Sequence, residues 1–278
     1  MTMKVNIGNH GFTMIWDSVY YYSLSNYPQI SQWELKKLLT FIEFEKRHGR
    51  ETEIICEDEN ILQAVNHAIA NPETIKNADL PNKITECTYC KQGGCLTKFV
   101  CHTATVDNAK KILANGKLLS AVKAFGKTGD ELVSDPRNAA GDPADYFDYV
   151  MLSWGNCTTG DNLVMERTLG RSATDDEKEN SLIPGIRFYF KYDDIIQHPD
   201  YVFDGYHPVK IKDELVLFDN LYVCVVPRQY QEMLEQFIHP DISDKIYYLS
   251  QDNLGLRDWS ERVYNFVKGR DKDDTKKR

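Results

Sequence analysis

Two segments far apart in the chain constrain its fold more than any others. In the first, Phe99-Val100-Cys101-His102-Thr103-Ala104-Thr105 reads as a strand ending in a histidine, and the residues from Asp107 to Asn115 read as a helix closed by Gly116. In the second, His207-Pro208-Val209-Lys210-Ile211-Lys212-Asp213-Glu214 leads into an apolar run read as one strand from Leu215 to Val226. Glu214 therefore stands at a strand mouth beside apolar walls, a setting that perturbs carboxylates and suits chemistry.

The rest of the chain arranges itself around these segments as an α+β protein. Residues 1–80 read as a small α/β unit, with strands at Met3 to Ile7 and Phe12 to Trp16 around the Gly8-Asn9-His10-Gly11 turn. Ser31 and Glu34 form a capping box. The helix after them carries Trp33, Leu35, Leu38, Leu39, Ile42 and Phe44 mainly on one side and ends at His48-Gly49. Thr52 to Cys56 is β-rich. Asn60 to Ala70 is helical, capped by Asp58 and stopped by Pro72. A polar connector from Asn77 to Asn82 sets a soft boundary near residue 80.

Residues 81–228 hold both motifs. Asp130 to Asp145, with Asp135-Pro136, Gly141 and Asp142-Pro143, is expected to be a loop. Tyr149 to Trp154 and Gly185 to Phe190 are expected strands, and Ala173 to Asn180 an exposed loop or helix start. Residues 229–270 read as a C-terminal extension: a helix from Gln229 to Phe237, a β-like piece from Lys245 to Leu249 and a last helix from Leu256 to Lys268. Residues 271–278 are all charge and threonine, and disorder is expected there.

Composition narrows the function. A net charge of −9 argues against a general nucleic-acid coat protein. Lys110, Lys111, Lys117, Lys123 and Lys127 nevertheless fall close together, as a local basic groove or simply a solvated face. No apolar run approaches the ~20 residues that a membrane span needs, and no secretory leader is evident. A cytoplasmic protein without a membrane partner is expected. Seven cysteines, an odd number, fit a reducing compartment better than a disulfide framework.

Cys87-Thr88-Tyr89-Cys90 is a CxxC pair, followed by Cys95 and Cys101 with Gly93-Gly94 between. These four thiols could wrap a structural zinc. Ordinary free thiols and a redox pair are the alternatives. No His-x-Glu precedes the pair, so a zinc deaminase is excluded. Dinucleotide-binding Rossmann, P-loop and zincin signatures are absent too.

The run from Val100 to Ser120 resembles the opening motif of the ADP-ribosyltransferase superfamily. It is closest to the DarT-like DNA-modifying toxins and more loosely similar to PARP enzymes and RNA phosphotransferases. There a strand-end histidine with a nearby threonine or serine is followed by Asp-Asn, Ile-Leu and a glycine–leucine–leucine–serine stretch. This chain has His102, Thr103, Asp107-Asn108, Ile112-Leu113, Gly116 and Leu118-Leu119-Ser120. Asp145 to Val150 resembles the strand entry after the family's NAD-binding loop, and Glu214 to Asp219 its last motif. The likeness spans roughly residues 96–228. It departs at Ser153 to Cys157, where DarT-like proteins carry a proline–arginine signature, and at Arg187, where the corresponding PARP strand carries a tyrosine.

The resemblance implies a split β-sandwich transferase that consumes NAD. Cleaving NAD's glycosidic bond develops positive charge on the ribose, as in glycoside hydrolysis. Glu214 would stabilise that charge and position the ribose. His102 would hold ribose hydroxyls, Thr103 would lie near the nicotinamide amide, and Asn108 would belong to the NAD site. Arg137 would bind the pyrophosphate bidentately, with Arg167 and Arg171 as runners-up. Tyr149, Trp154 and Tyr189 are the candidates for stacking on the cationic nicotinamide ring, each with a plainer reading as core. A nucleic-acid acceptor is favoured by the resemblance, a protein acceptor is close behind, and an antitoxin or inhibitor is an expected partner. Two other classes stay open: a catalytically silent NAD or ADP-ribose binding module, and a zinc-stabilised nucleic-acid-binding protein.

Overall fold

The computed structural model describes residues 2–11, 13–78, 98–134 and 142–276, with side chains described as far as residue 271. Arg137 and the cysteines Cys87, Cys90 and Cys95 lie outside the described residues. The protein is α+β. It divides into two compact units, each discontinuous in sequence. One comprises Met1–Gln92, Ser120–Val150 and Val202–Asp213, and the other Gly93–Leu119, Met151–Tyr201 and Glu214–Arg278. The boundary read near residue 80 misses the return of two later segments to the N-terminal unit.

The first unit is built on a four-stranded sheet. The Thr2–Gly8 strand lies between Val19–Ser23 and Glu51–Cys56 and runs parallel to both. Met14–Trp16 pairs antiparallel with Val19–Ser23. The expected strands on either side of the glycine turn both form, but they pair with a third strand and not with each other. The hairpin between Trp16 and Val19 turns through Asp17 and Ser18, both at positive φ (48° and 61°). That is the geometry of a tight two-residue turn, here without the glycine that usually announces one.

The Gln32–Arg47 helix starts as read: Ser31 donates its backbone N–H to Glu34 Oε2 at 2.8 Å, closing a capping box. The Glu59–Ala70 helix is capped by Asp58, whose carboxylate accepts from Asn60 N (2.9 Å) and Ile61 N (3.0 Å). Both helices pack on the sheet through Leu35, Leu38, Phe41, Ile61 and Val65, which meet Met3, Val5 and Ile7 in one core. Each such side chain contributes about 1.5–3 kcal/mol by leaving water.

In the second unit the strands run in the order Ile246–Leu249, Val223–Pro227, Ile186–Lys191, Phe99–Ala104, and then Tyr149–Trp154, which belongs to this unit from Met151 onward. The Phe99–Ala104 strand pairs antiparallel with Ile186–Lys191 along its whole length, His102 opposite Phe188 and Thr103 opposite Arg187. Ile186 to Phe190 are all buried, as befits a central strand covered on both faces. Phe99, Cys101, Tyr189, Val223 and Val225 form a core with Trp259, Val263, Tyr264 and Val267 of the Leu256–Lys276 helix.

Several expectations need correction. The apolar run after Glu214 is not one strand. It breaks into a Glu214–Val216 strand, a helical turn at Leu217–Asn220 and a Val223–Pro227 strand. Asn220 Nδ2 donates to Val216 O at 2.9 Å and closes that turn. Leu215, Leu217, Leu221 and Val223 are buried in either arrangement, so apolarity alone could not choose. The expected 130–145 loop contains a short helix, Gly129–Val133, opened by a Thr128–Glu131 capping box, and ends in the turn Ala144–Asp148. Of the two readings offered for Ala173 to Asn180, the helix start is the one that forms: Asp175–Asn180 is a short helix capped by Thr174. The expected Gln229 to Phe237 helix is instead three short turns: Arg228–Tyr230, Gln231–Leu234 and Glu235–Phe237. The charged tail is not disordered from residue 271, because the last helix continues to Lys276. Asp271 anchors it by pairing with Lys98 and with Lys191 (3.3 Å). No helix among the described residues is long and apolar enough to cross a membrane.

Candidate functional site

The first motif folds as a continuous strand–helix–strand in the second unit. Thr105 caps the Val106–Asn115 helix, its hydroxyl accepting from Asn108 N at 3.4 Å. Gly116 ends it at φ 65°, and an added Cβ there would overlap the Phe218 ring. The chain then enters the Lys117–Leu119 strand. The second motif docks onto this strand. Glu214–Val216 pairs antiparallel with it, Glu214 opposite Leu119 and Val216 opposite Lys117, and Leu217 N donates to Gly116 O at 2.8 Å. The end of the histidine motif and the start of the glutamate motif thus share one ladder. The Glu214 carboxylate is half-exposed and accepts from Lys117 Nζ on both oxygens, at 3.3 and 3.1 Å.

His102 is held in its strand with a hydrogen bond to the Met151 backbone. Burial lowers its pKa to about 4, the Met151 bond opposes this in part, and the Arg167 cation adds to the lowering. The imidazole is therefore neutral at physiological pH; with its N–H given to the Met151 carbonyl, its other nitrogen can accept from a hydroxyl. Thr103 is the next residue. Its Oγ1 is buried without a hydrogen-bond partner among the described residues. Its side chain rests against Gly160 and Gly185, and a Cβ at either glycine would overlap it. Asn108 lies in the first turn of the helix, half-buried.

The aromatic candidates separate. Trp154 is half-buried, with its ring 5.2 Å from that of Tyr192. Tyr149 belongs to the first unit and is half-buried there. Tyr189 is a correction: it has no exposed surface, its hydroxyl donates to Gly155 O at 3.0 Å and accepts from Arg187 Nη1 at 3.1 Å. It is a core residue and offers no free ring face. Arg187 is structural as well. It is fully buried and paired with Asp161, whose other oxygen accepts from Gly185 N at 2.8 Å. Arg171, a runner-up for the pyrophosphate, is committed to Glu177 through two hydrogen bonds of 2.9 and 2.6 Å.

Cys101, one of the four thiols considered for zinc, is buried in the core. Burial pushes its thiol up to about 11. Among the described residues, no three His, Cys, Asp or Glu side chains are grouped to hold a metal ion. The lysine cluster is largely balanced. Lys110 pairs with Asp107 (3.2 Å) and Lys117 with Glu214 in the second unit, and Lys123 pairs with Asp213 (3.5 Å) in the first.

A shallow cleft of about 210 Å³ opens at the N-terminus of the Val106–Asn115 helix, lined by Thr105, Asp107, Val164, Thr168, Pro184 and Tyr230 among others. It is smaller than the ~300–1,000 Å³ typical of ligand pockets. A larger one, about 350 Å³, lies in the first unit between Lys36, Glu43, Glu73 and Lys76 and contains no motif residue.

The first unit holds a polar cluster that the sequence reading missed. Lys210 and Asp204 are both fully buried, with Nζ 2.7 Å from Oδ2. The same Oδ2 accepts from His207 Nδ1 at 2.8 Å, while Oδ1 accepts the backbone N–H groups of Tyr206 (2.9 Å) and His207 (2.7 Å). Burial alone would raise the Asp204 carboxyl, but Lys210 and then His207 outweigh it and hold it far below the usual carboxylate range. Nearby, Arg50 bridges Glu45 and Asp145, and Tyr146 donates its hydroxyl to Glu45 at 3.3 Å. One signal was legible: Lys210 interrupts an apolar alternation between Val209 and Ile211, all of it buried.

No protein-family model, no curated protein and no solved structure matches this chain.

Proposed function

We propose that the protein is an ADP-ribosyltransferase that cleaves NAD, releases nicotinamide and passes ADP-ribose to a macromolecular acceptor. The observation that carries this reading is the ladder between Lys117–Leu119 and Glu214–Val216. Two motifs distant in sequence, resembling the first and last motifs of that superfamily, meet in one compact unit through a register that sets Glu214 at its edge.

The chemistry follows from the side chains. Glu214 keeps a half-exposed carboxylate, which can face a ribose that becomes cationic as nicotinamide departs. His102 is neutral and so can accept a hydrogen bond from a ribose hydroxyl without repelling that charge. The carbon–nitrogen bond breaks with its electron pair leaving on nicotinamide, the acceptor's nucleophile bonds to the vacated ribose carbon, and the nucleophile's proton passes to Glu214 or to solvent. The acceptor we favour is nucleic acid, on the DarT-like resemblance of the residues from Val100 to Ser120. The paired state of Lys110, Lys117 and Lys123 limits how much basic surface could support it. The test is incubation of the purified protein with NAD and, separately, DNA, RNA and a protein mixture, followed by mass spectrometry of each acceptor. An ADP-ribosyl adduct on DNA or RNA supports the reading. An adduct on protein alone redirects it to a protein acceptor, and no adduct on any acceptor refutes transfer.

A further inference from the structure

Glu214 does not hold its carboxylate unaided. In the ladder Glu214 lies opposite Leu119 and Lys117 opposite Val216, so Lys117 and Glu214 are diagonal neighbours on one face of the two-stranded sheet. Both strands are fixed close to the pair. Leu217 N donates to Gly116 O at 2.8 Å, and Gly116 takes a left-handed turn against Phe218. Lys117 Nζ straddles the carboxylate at 3.3 and 3.1 Å.

We propose that Lys117 is a positioning residue for Glu214 in NAD cleavage, an inference that rests on the ADP-ribosyltransferase reading above. The Lys117 and Glu214 side chains are 37% and 36% exposed, so the pair adds little to folding. Its consequence is orientational. A carboxylate has about four lone-pair directions. An ammonium that contacts both oxygens fixes the rotation of the group. Without it, a flexible glutamate must be ordered in every turnover, which costs about tenfold in rate. The ammonium also repels the developing ribose cation, but at this exposure solvent and salt screen that effect, and the orientational gain prevails.

The experiment is steady-state nicotinamide release by wild type, Lys117→Arg, Lys117→Met, Glu214→Gln and the Lys117→Met/Glu214→Gln double variant, with melting temperatures for all. The expected result for Lys117→Met is a kcat about tenfold lower with KM for NAD and melting temperature nearly unchanged. Lys117→Arg should recover most of the rate, and Lys117→Met should have no further effect once Glu214 is glutamine. A Lys117→Met kcat within twofold of wild type, beside a Glu214→Gln variant that has lost activity, overturns the positioning role and leaves the transferase reading standing. A full tenfold loss that persists in the Glu214→Gln background also overturns it, since Lys117 would then act on something else. Wild type without Glu214-dependent release overturns both.

Discussion

Lys210→Met should be among the most damaging single changes to this protein, and its cost can be worked from the structure. Lys210 Nζ lies 2.7 Å from Asp204 Oδ2 with both side chains fully buried. It also lies 3.3 Å from the centroid of the Tyr146 ring, a cation–π contact shielded from water. Methionine keeps the length and apolar character of the lysine stem, so the loss is of charge and not of packing. Removing one partner of a buried pair costs about 3–5 kcal/mol, because the remaining charge is stranded. Asp204 would still accept from His207 Nδ1 and two backbone N–H groups, which places the expected loss near the lower end, about 3 kcal/mol. The assay is urea unfolding at pH 7 of wild type, Lys210→Met, Asp204→Asn and the double variant. The double should be far less destabilised than the two singles combined, because it leaves no uncompensated charge. A Lys210→Met loss below about 1 kcal/mol, or strict additivity in the cycle, would refute the reasoning.

Two further outcomes are expected. Gly205→Ala should destabilise the first unit by at least about 2 kcal/mol, since Gly205 has φ +79° and an added Cβ would overlap the backbone at Lys37 and Phe41; the shift of the urea midpoint checks it. His102 should make stability fall as pH drops. With a folded pKa of about 4 against an ordinary value near 6.5, the unfolded chain binds the extra proton across that window, and the loss reaches about 3 kcal/mol near pH 4. His102→Gln should lose less stability than wild type between pH 7 and pH 4, read from unfolding curves at both.

Local chemistry made part of this fold legible. Ser31 with Glu34, Asp58, and Gly116 mark helix ends because the groups they satisfy lie within a turn of them. Long-range pairing was not legible. The Asp17-Ser18 hairpin hides its positive φ behind residues that seldom adopt it, and the strand it creates comes between two strands that the sequence would have paired. The turn at Leu217–Asn220 is hidden because Leu215, Leu217, Leu221 and Val223, the buried residues around it, also have the alternating spacing of one strand face. Tyr189 and Trp154 look alike in sequence, and only the packing around each shows one without exposed surface and the other half-buried. The register that brings Lys117 to Glu214 was not legible, because it depends on pairing between segments about a hundred residues apart.

The most direct measurement is nicotinamide release from NAD by wild type and Glu214→Gln, with and without added DNA, RNA and cell lysate. Wild type should release nicotinamide, stimulated by the true acceptor, and Glu214→Gln should lose at least about 100-fold, the scale at which a group acting on transition-state charge contributes. Equal release by the two proteins, or none from wild type under any condition, would contradict the transferase reading.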